Sequence, residues 1–178
     1  MYDLLYLISI SALFGYSMKV ADLLDEHGLK WFRGADWLAG VAWGMFGSML
    51  VLYNDAIANT MLAMVAGFVL RRRLDYPNHI LAALMIVISF FLFAAFDYSI
   101  FLPFFLVFTV FGAIKDYADD VLGLRGWKYV LSEAMLYYPI PTAIYGVLTG
   151  AWAPFIAFTT YTLAYDLTKV AYMRRGIG

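Results

Sequence analysis

The chain contains no cysteine. Disulfides, thiol nucleophiles and thiolate metal sites are therefore excluded. Charge is also scarce: Asp, Glu, Lys and Arg make up 14% of the 178 residues and nearly cancel, leaving a formal net charge of −1. A soluble domain carries about 25% charged residues, and there is no basic excess to form a general nucleic-acid surface. His27 and His79 are the whole histidine complement, too few by themselves for a bis-haem or an all-histidine zinc site. The start, Met1-Tyr2-Asp3, lacks the basic region of a cleaved signal peptide, so the first apolar run is expected to stay in the protein. No Gly-x-Ser-x-Gly, His-Glu-x-x-His, P-loop or Gly-x-Gly-Asp motif occurs.

Apolar residues fill this space. They make up 64% of the chain, and aromatics alone reach 19%. A membrane-crossing helix needs about 17–25 residues, and seven runs approach that length: Leu4–Met18, Trp37–Tyr53, Ala56–Leu70, His79–Phe96, Tyr98–Ile114, Tyr129–Thr149 and Ala151–Tyr172. The expected fold class is all-α, a polytopic membrane helix bundle of about seven spans in a single domain, residues 1–178. Six spans result if the second and third runs form a re-entrant hairpin. The charges test the count. Every Lys and Arg falls at the end of an odd-numbered run or after it, and none sits near Asn54, Asp97 or Gly150. The positive-inside rule then puts the N-terminus outside and the C-terminus in the cytoplasm of a cell (plasma) membrane protein.

Most of the chemistry-bearing residues sit where runs meet that charged side. Lys115 to Lys128 holds Asp116, Asp119 and Asp120, whose i, i+3, i+4 spacing places three carboxylates on one face if the segment is helical. Such a face suits a hard divalent ion, Mg²⁺, shared with substrate phosphate oxygens. Asp22, Asp25 and Glu26 repeat the spacing, again followed by Gly-Leu and two cations three residues apart. These six acids are the candidate metal ligands. The likeness suggests parallel repeats over 1–75 and 98–178, a 3+1+3 layout known among transporters. Arg71, Arg72 and Arg73, with Arg125 and Lys128, are candidate phosphate-binding cations; arginines at a helix end also serve simply as topology anchors. Glu133, Asp166 and Lys169 lie within runs, where an ionisable group is a functional candidate. Glu133 joins Asp116, Asp119 and Asp120 as a candidate catalytic acid, and Asp166 and Lys169 join the candidate substrate-binding residues. His27 beside Asp25 and Glu26 is a lesser metal candidate.

Ile114-Lys115-Asp116-x-x-Asp119-x-x-x-Gly123-x-Arg125 resembles the second aspartate motif of the UbiA-type intramembrane prenyltransferases. Asp119-Asp120-Val121-Leu122-Gly123-Leu124-Arg125-x-x-Lys128 resembles the Asp-Asp loop of the polyprenyl-phosphate sugar-1-phosphate transferases. The resemblance spans about fourteen residues. Both families are larger, and their other motifs are missing or fall on the opposite side. It implies Mg²⁺ and phosphate chemistry in general, with no assigned activity.

The expected function is thus an integral membrane enzyme, a Mg²⁺-dependent transferase acting on a lipid or prenyl (di)phosphate at the cytoplasmic face. The alternative is a small-solute or ion transporter or channel built from two three-helix repeats, with Glu133, Asp166 and Lys169 as its buried charges. A third reading is an assembly subunit whose charges only set topology. Expected partners are membrane lipids and the substrate, with self-association as a homo-oligomer left open and no nucleic acid.

Overall fold

In the structure, a computed structural model that describes residues 2–123 and 137–174, seven α-helices run in chain order with no strand among the described residues. They are α1 (Tyr2–Asp25), α2 (Ala35–Val51), α3 (Asp55–Leu70), α4 (Pro77–Phe93), α5 (Tyr98–Asp120), α6 (Pro139–Thr149) and α7 (Ala153–Met173). The segments Asp3–Asp25 and Tyr98–Ala118 are long and apolar enough to cross a membrane, and α2, α3 and α4 are shorter apolar helices. Glu133, Arg125 and Lys128 lie outside the described residues.

Local chemistry sets the ends. Asn54 caps α3 by accepting from Ile57 N at 2.8 Å, and Asp97 caps α5 by accepting from Ser99 N at 2.8 Å. Pro77 opens α4, where its missing N–H has no helical partner to lose. The apolar runs end at Met18 and Ile114, but the helices continue through the charged residues to Asp25 and Asp120. This carries Asp22, Asp25, Asp116, Asp119 and Asp120 onto helices. Only the backbone of Asp119 and Asp120 is described.

α1 lies between α7 and α2, α2 continues to α4, α3 packs on α5, and α6 packs on α7. One buried cluster joins all seven helices, with Phe14, Phe90, Phe108 and Phe158 at its centre. Several helix contacts are close enough to require glycine, and two of them bear on the charged end. A Cβ at Gly15 of α1 would meet the Tyr161 carbonyl oxygen of α7 at 2.2 Å. One at Gly40 of α2 would meet Asn78 Cβ and its carbonyl oxygen at 2.8 Å. Small residues let helix backbones approach in this way, and the two contacts bring α7 and the start of α4 toward the end of α1. Five buried hydroxyls are satisfied locally: Ser11, Thr60, Thr142, Thr162 and Thr168 each donate to the carbonyl four residues earlier at 2.7 Å.

The helices alternate in direction, and this sorts the charges. One end carries Asp3, Asp55 and Asp97. There Asn59 Nδ2 donates to Ala95 O at 2.8 Å, and Ala95 N donates to Asp55 Oδ1 at 3.0 Å. The other end carries every described lysine and arginine, from Lys19 to Arg174.

Candidate functional site

At the cation-rich end, α1, α4 and α7 bring polar side chains together. Asp22 and Asp25 project from the last turn of α1, and Glu26 follows them. His79 is on the first turn of α4, two residues after the proline that starts the helix. Its ring is 3% exposed and is held edge-on by Trp43 and Tyr76, each with centroids 5.3 Å away. His79 Nε2 is buried and makes no hydrogen bond. It lies 3.1 Å from Asp25 Oδ2 and 3.8 Å from Asp22 Oδ1, and neither contact has hydrogen-bond geometry. One donor atom each from Asp22, Glu26 and His79 falls within 4.8 Å of the others. Donors sharing one ion at about 2.0–2.2 Å sit about 3–3.5 Å apart, so the three side chains would have to draw closer together to hold a cation.

The surrounding groups orient these donors. Tyr165 of α7 donates to Asp22 Oδ2 at 2.5 Å, and Lys19 Nζ lies 3.6 Å from the same oxygen. Both hold Oδ2, which leaves Oδ1 turned toward His79. Asn78 Nδ2 donates to Asp25 Oδ2 at 2.8 Å and to the Asp36 carbonyl at 3.0 Å, fixing Asp25 beside the imidazole. Supports of this kind set the direction and basicity of metal ligands. Charge favours a cation too, because Asp22, Asp25 and Glu26 face the single buried Lys19. Desolvation, with the negative charge of Asp22, raises the Glu26 pKa above the ordinary carboxylate value, partly offset by Lys19 and His79. Removing a proton and bringing in a divalent cation would relieve that strain on the carboxylate.

The second acidic stretch is built differently. Asp116 Oδ2 accepts from Arg71 Nη1 at 2.8 Å, and Asp116 Oδ1 pairs with Arg73 Nη2 at 2.8 Å. Arg71 also donates to Tyr137 OH at 2.7 Å and stacks near the rings of Phe68 and Tyr137. The guanidinium lies flat on α5 at Gly112, where a Cβ would meet Cζ at 2.4 Å. Both oxygens of Asp116 thus face guanidinium, so Arg71 and Arg73 are engaged here, while Arg72 is exposed. Arg72 sits at φ +57°, a left-handed backbone.

The sequence-expected residues therefore divide. Asp22 and Glu26 join a site, and Asp25 flanks it. Asp116, Arg71 and Arg73 form an ion pair between α3 and α5. Asp166 is buried on α7, one turn before Lys169 and next to Tyr165 in sequence. His79, rather than His27, supplies the imidazole, and Asn78 and Tyr165 supply the supports. Only one signal in the sequence pointed to His79: it is a histidine just inside a proline-started helix at the charged side. Comparison with protein-family models, curated proteins and solved structures finds no match.

Proposed function

We propose that the chain is a polytopic integral membrane protein in which Asp22, Glu26 and His79 hold a divalent cation at the cytoplasmic end, and that this site acts on a lipid or prenyl (di)phosphate. The outer surface supports the membrane reading. Ile80, Leu84, Ile88 and Phe91 form an exposed stripe along α4, and Val110, Ile114 and Tyr117 continue one along α5. Ile140, Ile144 and Val147 on α6, and Leu163 and Leu167 on α7, do the same. Exposed apolar surface on this scale marks a surface that something covers, and lipid covers all sides at once. Helices of 16 and 17 residues are about 25 Å long, close to the hydrocarbon thickness of about 30 Å. With all described cations at one end, the positive-inside rule makes that end cytoplasmic, the N-terminus external and the C-terminus cytoplasmic.

The observation that carries the metal assignment is the buried His79 Nε2, which makes no hydrogen bond and faces two carboxylates. A nitrogen donor suits Mn²⁺ or Zn²⁺ better than the Mg²⁺ expected from carboxylates alone. The phosphate assignment draws support from the cations at the same end: Lys30, Arg33 and Arg72 are exposed there and can neutralise phosphate charge, the dominant electrostatic role in such chemistry. On this reading Arg71, Arg73 and Asp116 hold the ends of α3 and α5 in place.

One observation favours a cation carrier instead: Lys19 and Asp166 are buried on the facing helices α1 and α7, and ionisable groups inside spans mark ion pathways. One experiment separates the two. Purified protein in lipid nanodiscs, loaded with Mn²⁺ or Zn²⁺, is given a polyprenyl diphosphate and the release of phosphate or diphosphate is followed. Parallel proteoliposomes are assayed for metal flux. Turnover that disappears in His79→Ala supports the enzyme. Flux without turnover supports the carrier. Neither activity, in folded protein that binds metal, would overturn both.

A further inference from the structure

The connection from α1 to α2, residues 26–34, contributes only Glu26 to the metal site, yet it is an ordered piece of structure. Glu26 N donates to Asp22 O at 2.8 Å, Leu29 N donates to Leu23 O at 3.0 Å, and Ala35 N donates to Phe32 O at 3.1 Å. Leu29 is buried. Gly28 and Gly34 take φ of +74° and +87°, left-handed values that other residues adopt only with strain. This frame turns Trp31 and Phe32 outward, 50% and 60% exposed, with exposed Lys30 and Arg33 on either side.

Two neighbouring large aromatics held outward by a hydrogen-bonded loop call for a covering surface. The chain itself points to which one. Directly after the loop, the exposed Trp37, Val41 and Met45 form the outward stripe of α2, which lipid covers on the membrane reading. The aromatic surface of the loop runs into that stripe. Amphipathic aromatics gather at the headgroup level of a bilayer, and cations beside them attract anionic headgroups. The first turn of α2, which follows the loop directly, is tied to the metal site, since the Asp36 carbonyl accepts from Asn78, the neighbour of His79.

We propose that residues 30–33 form a lipid-binding lip beside the metal site. Trp31 and Phe32 seat at the headgroup boundary of the cytoplasmic leaflet, and Lys30 and Arg33 hold the phosphate of an anionic membrane lipid. This rests on the membrane reading above and narrows the substrate to a phospholipid or lipid phosphate presented from the same leaflet.

The absence of native cysteine allows a direct test. Phe32→Cys and Leu106→Cys each provide one spin-label site, the first on the lip and the second on the outward face of α5. Both are measured in nanodiscs of zwitterionic lipid with and without phosphatidic acid, using oxygen and an aqueous nickel chelate as relaxation agents. The expected result is a deep label at Leu106 and a label at Phe32 that is shielded from nickel and moves inward when the anionic lipid is present. Lys30→Gln and Arg33→Gln should each weaken retention of phosphatidic acid roughly fivefold. A deep Leu106 label with a fully aqueous Phe32 label overturns the lip and leaves the membrane reading intact. So does a shielded Phe32 label indifferent to anionic lipid and to both charge variants, or displacement of the lipid by inorganic phosphate alone. An aqueous Leu106 label overturns the membrane reading and the lip together.

Discussion

Asp22 and Asp116 stand at matching places in two stretches with the same acid spacing, each where an apolar helix emerges into the charged end. Their surroundings are opposite. Asp22 is held by Tyr165 and Lys19 through one oxygen and presents the other to a buried imidazole. Asp116 has both oxygens on arginine side chains. The comparison teaches that carboxylate spacing supplies a face and that helices arriving from far along the chain decide its use. α4 brings a neutral-capable donor to the first face, and the end of α3 brings fixed positive charge to the second.

The largest effect expected from breaking this contrast is on stability at the second site. Asp116→Ala leaves the buried Arg71 guanidinium uncompensated and should cost about 3 kcal/mol, read as a lower denaturation midpoint in nanodiscs. Arg71→Ala/Asp116→Ala should cost less than the sum of the two single changes, a coupling that a double-mutant cycle measures directly.

Gly40→Ala comes next. The added methyl would press on Asn78 Cβ and its carbonyl oxygen at 2.8 Å, pushing the start of α4 away from α2. A penalty of about 2 kcal/mol is expected from overpacking, accompanied by weaker metal binding because His79 moves with Asn78. Unchanged metal affinity would show that the imidazole is positioned by something other than this close approach.

Tyr165→Phe should leave the fold intact and lower metal affinity about tenfold, the lower range for an outer-shell ligand support. The same change should leave the Asp116 pair untouched, so thermal stability and metal affinity separate the two regions.

The smallest effect concerns protons. Glu26 is raised above the ordinary carboxylate value chiefly by desolvation and by Asp22. A raised acid favours its protonated form when folded, so its contribution to stability is present below the ordinary carboxylate pKa and fades as pH rises through the raised one. Metal binding needs the carboxylate and runs the other way. Affinity should therefore begin to fall, as pH is lowered, at a higher pH than for an ordinary glutamate, with proton release on binding. Calorimetry in two buffers of different ionisation enthalpy reads that release, and Glu26→Gln should remove its share.

Much of the fold was legible in the sequence. The described helices fall on the apolar runs, the sixth only over Pro139–Thr149 since the start of that run lies outside the described residues, because hydrophobic length and the short Asn54 and Asp97 turns are local signals. The extensions of α1 and α5 were not, because the apolar runs stop before Lys19 and Lys115; the charges beyond them are satisfied in three dimensions, Lys19 and Asp22 with Tyr165 and Asp116 with Arg71 and Arg73. The site was half legible. Asp22, Asp25 and Glu26 stand together in sequence, but His79 and Tyr165 reach them only through the glycine contacts at Gly40 and Gly15. The arginines were read as phosphate ligands, and the pairing of Arg71 and Arg73 with Asp116 left only Gly112 as a trace, a flat place one turn before the acid.

The most direct test of the contrast is a calorimetric Mn²⁺ and Zn²⁺ titration of the nanodisc-embedded protein, comparing wild type with His79→Ala and Asp116→Asn. Binding to wild type and Asp116→Asn alike, with a loss of more than about a hundredfold in His79→Ala, exceeding an outer-shell change, is the result expected. Binding that survives His79→Ala and disappears in Asp116→Asn would place the metal on the second acidic face and contradict the account.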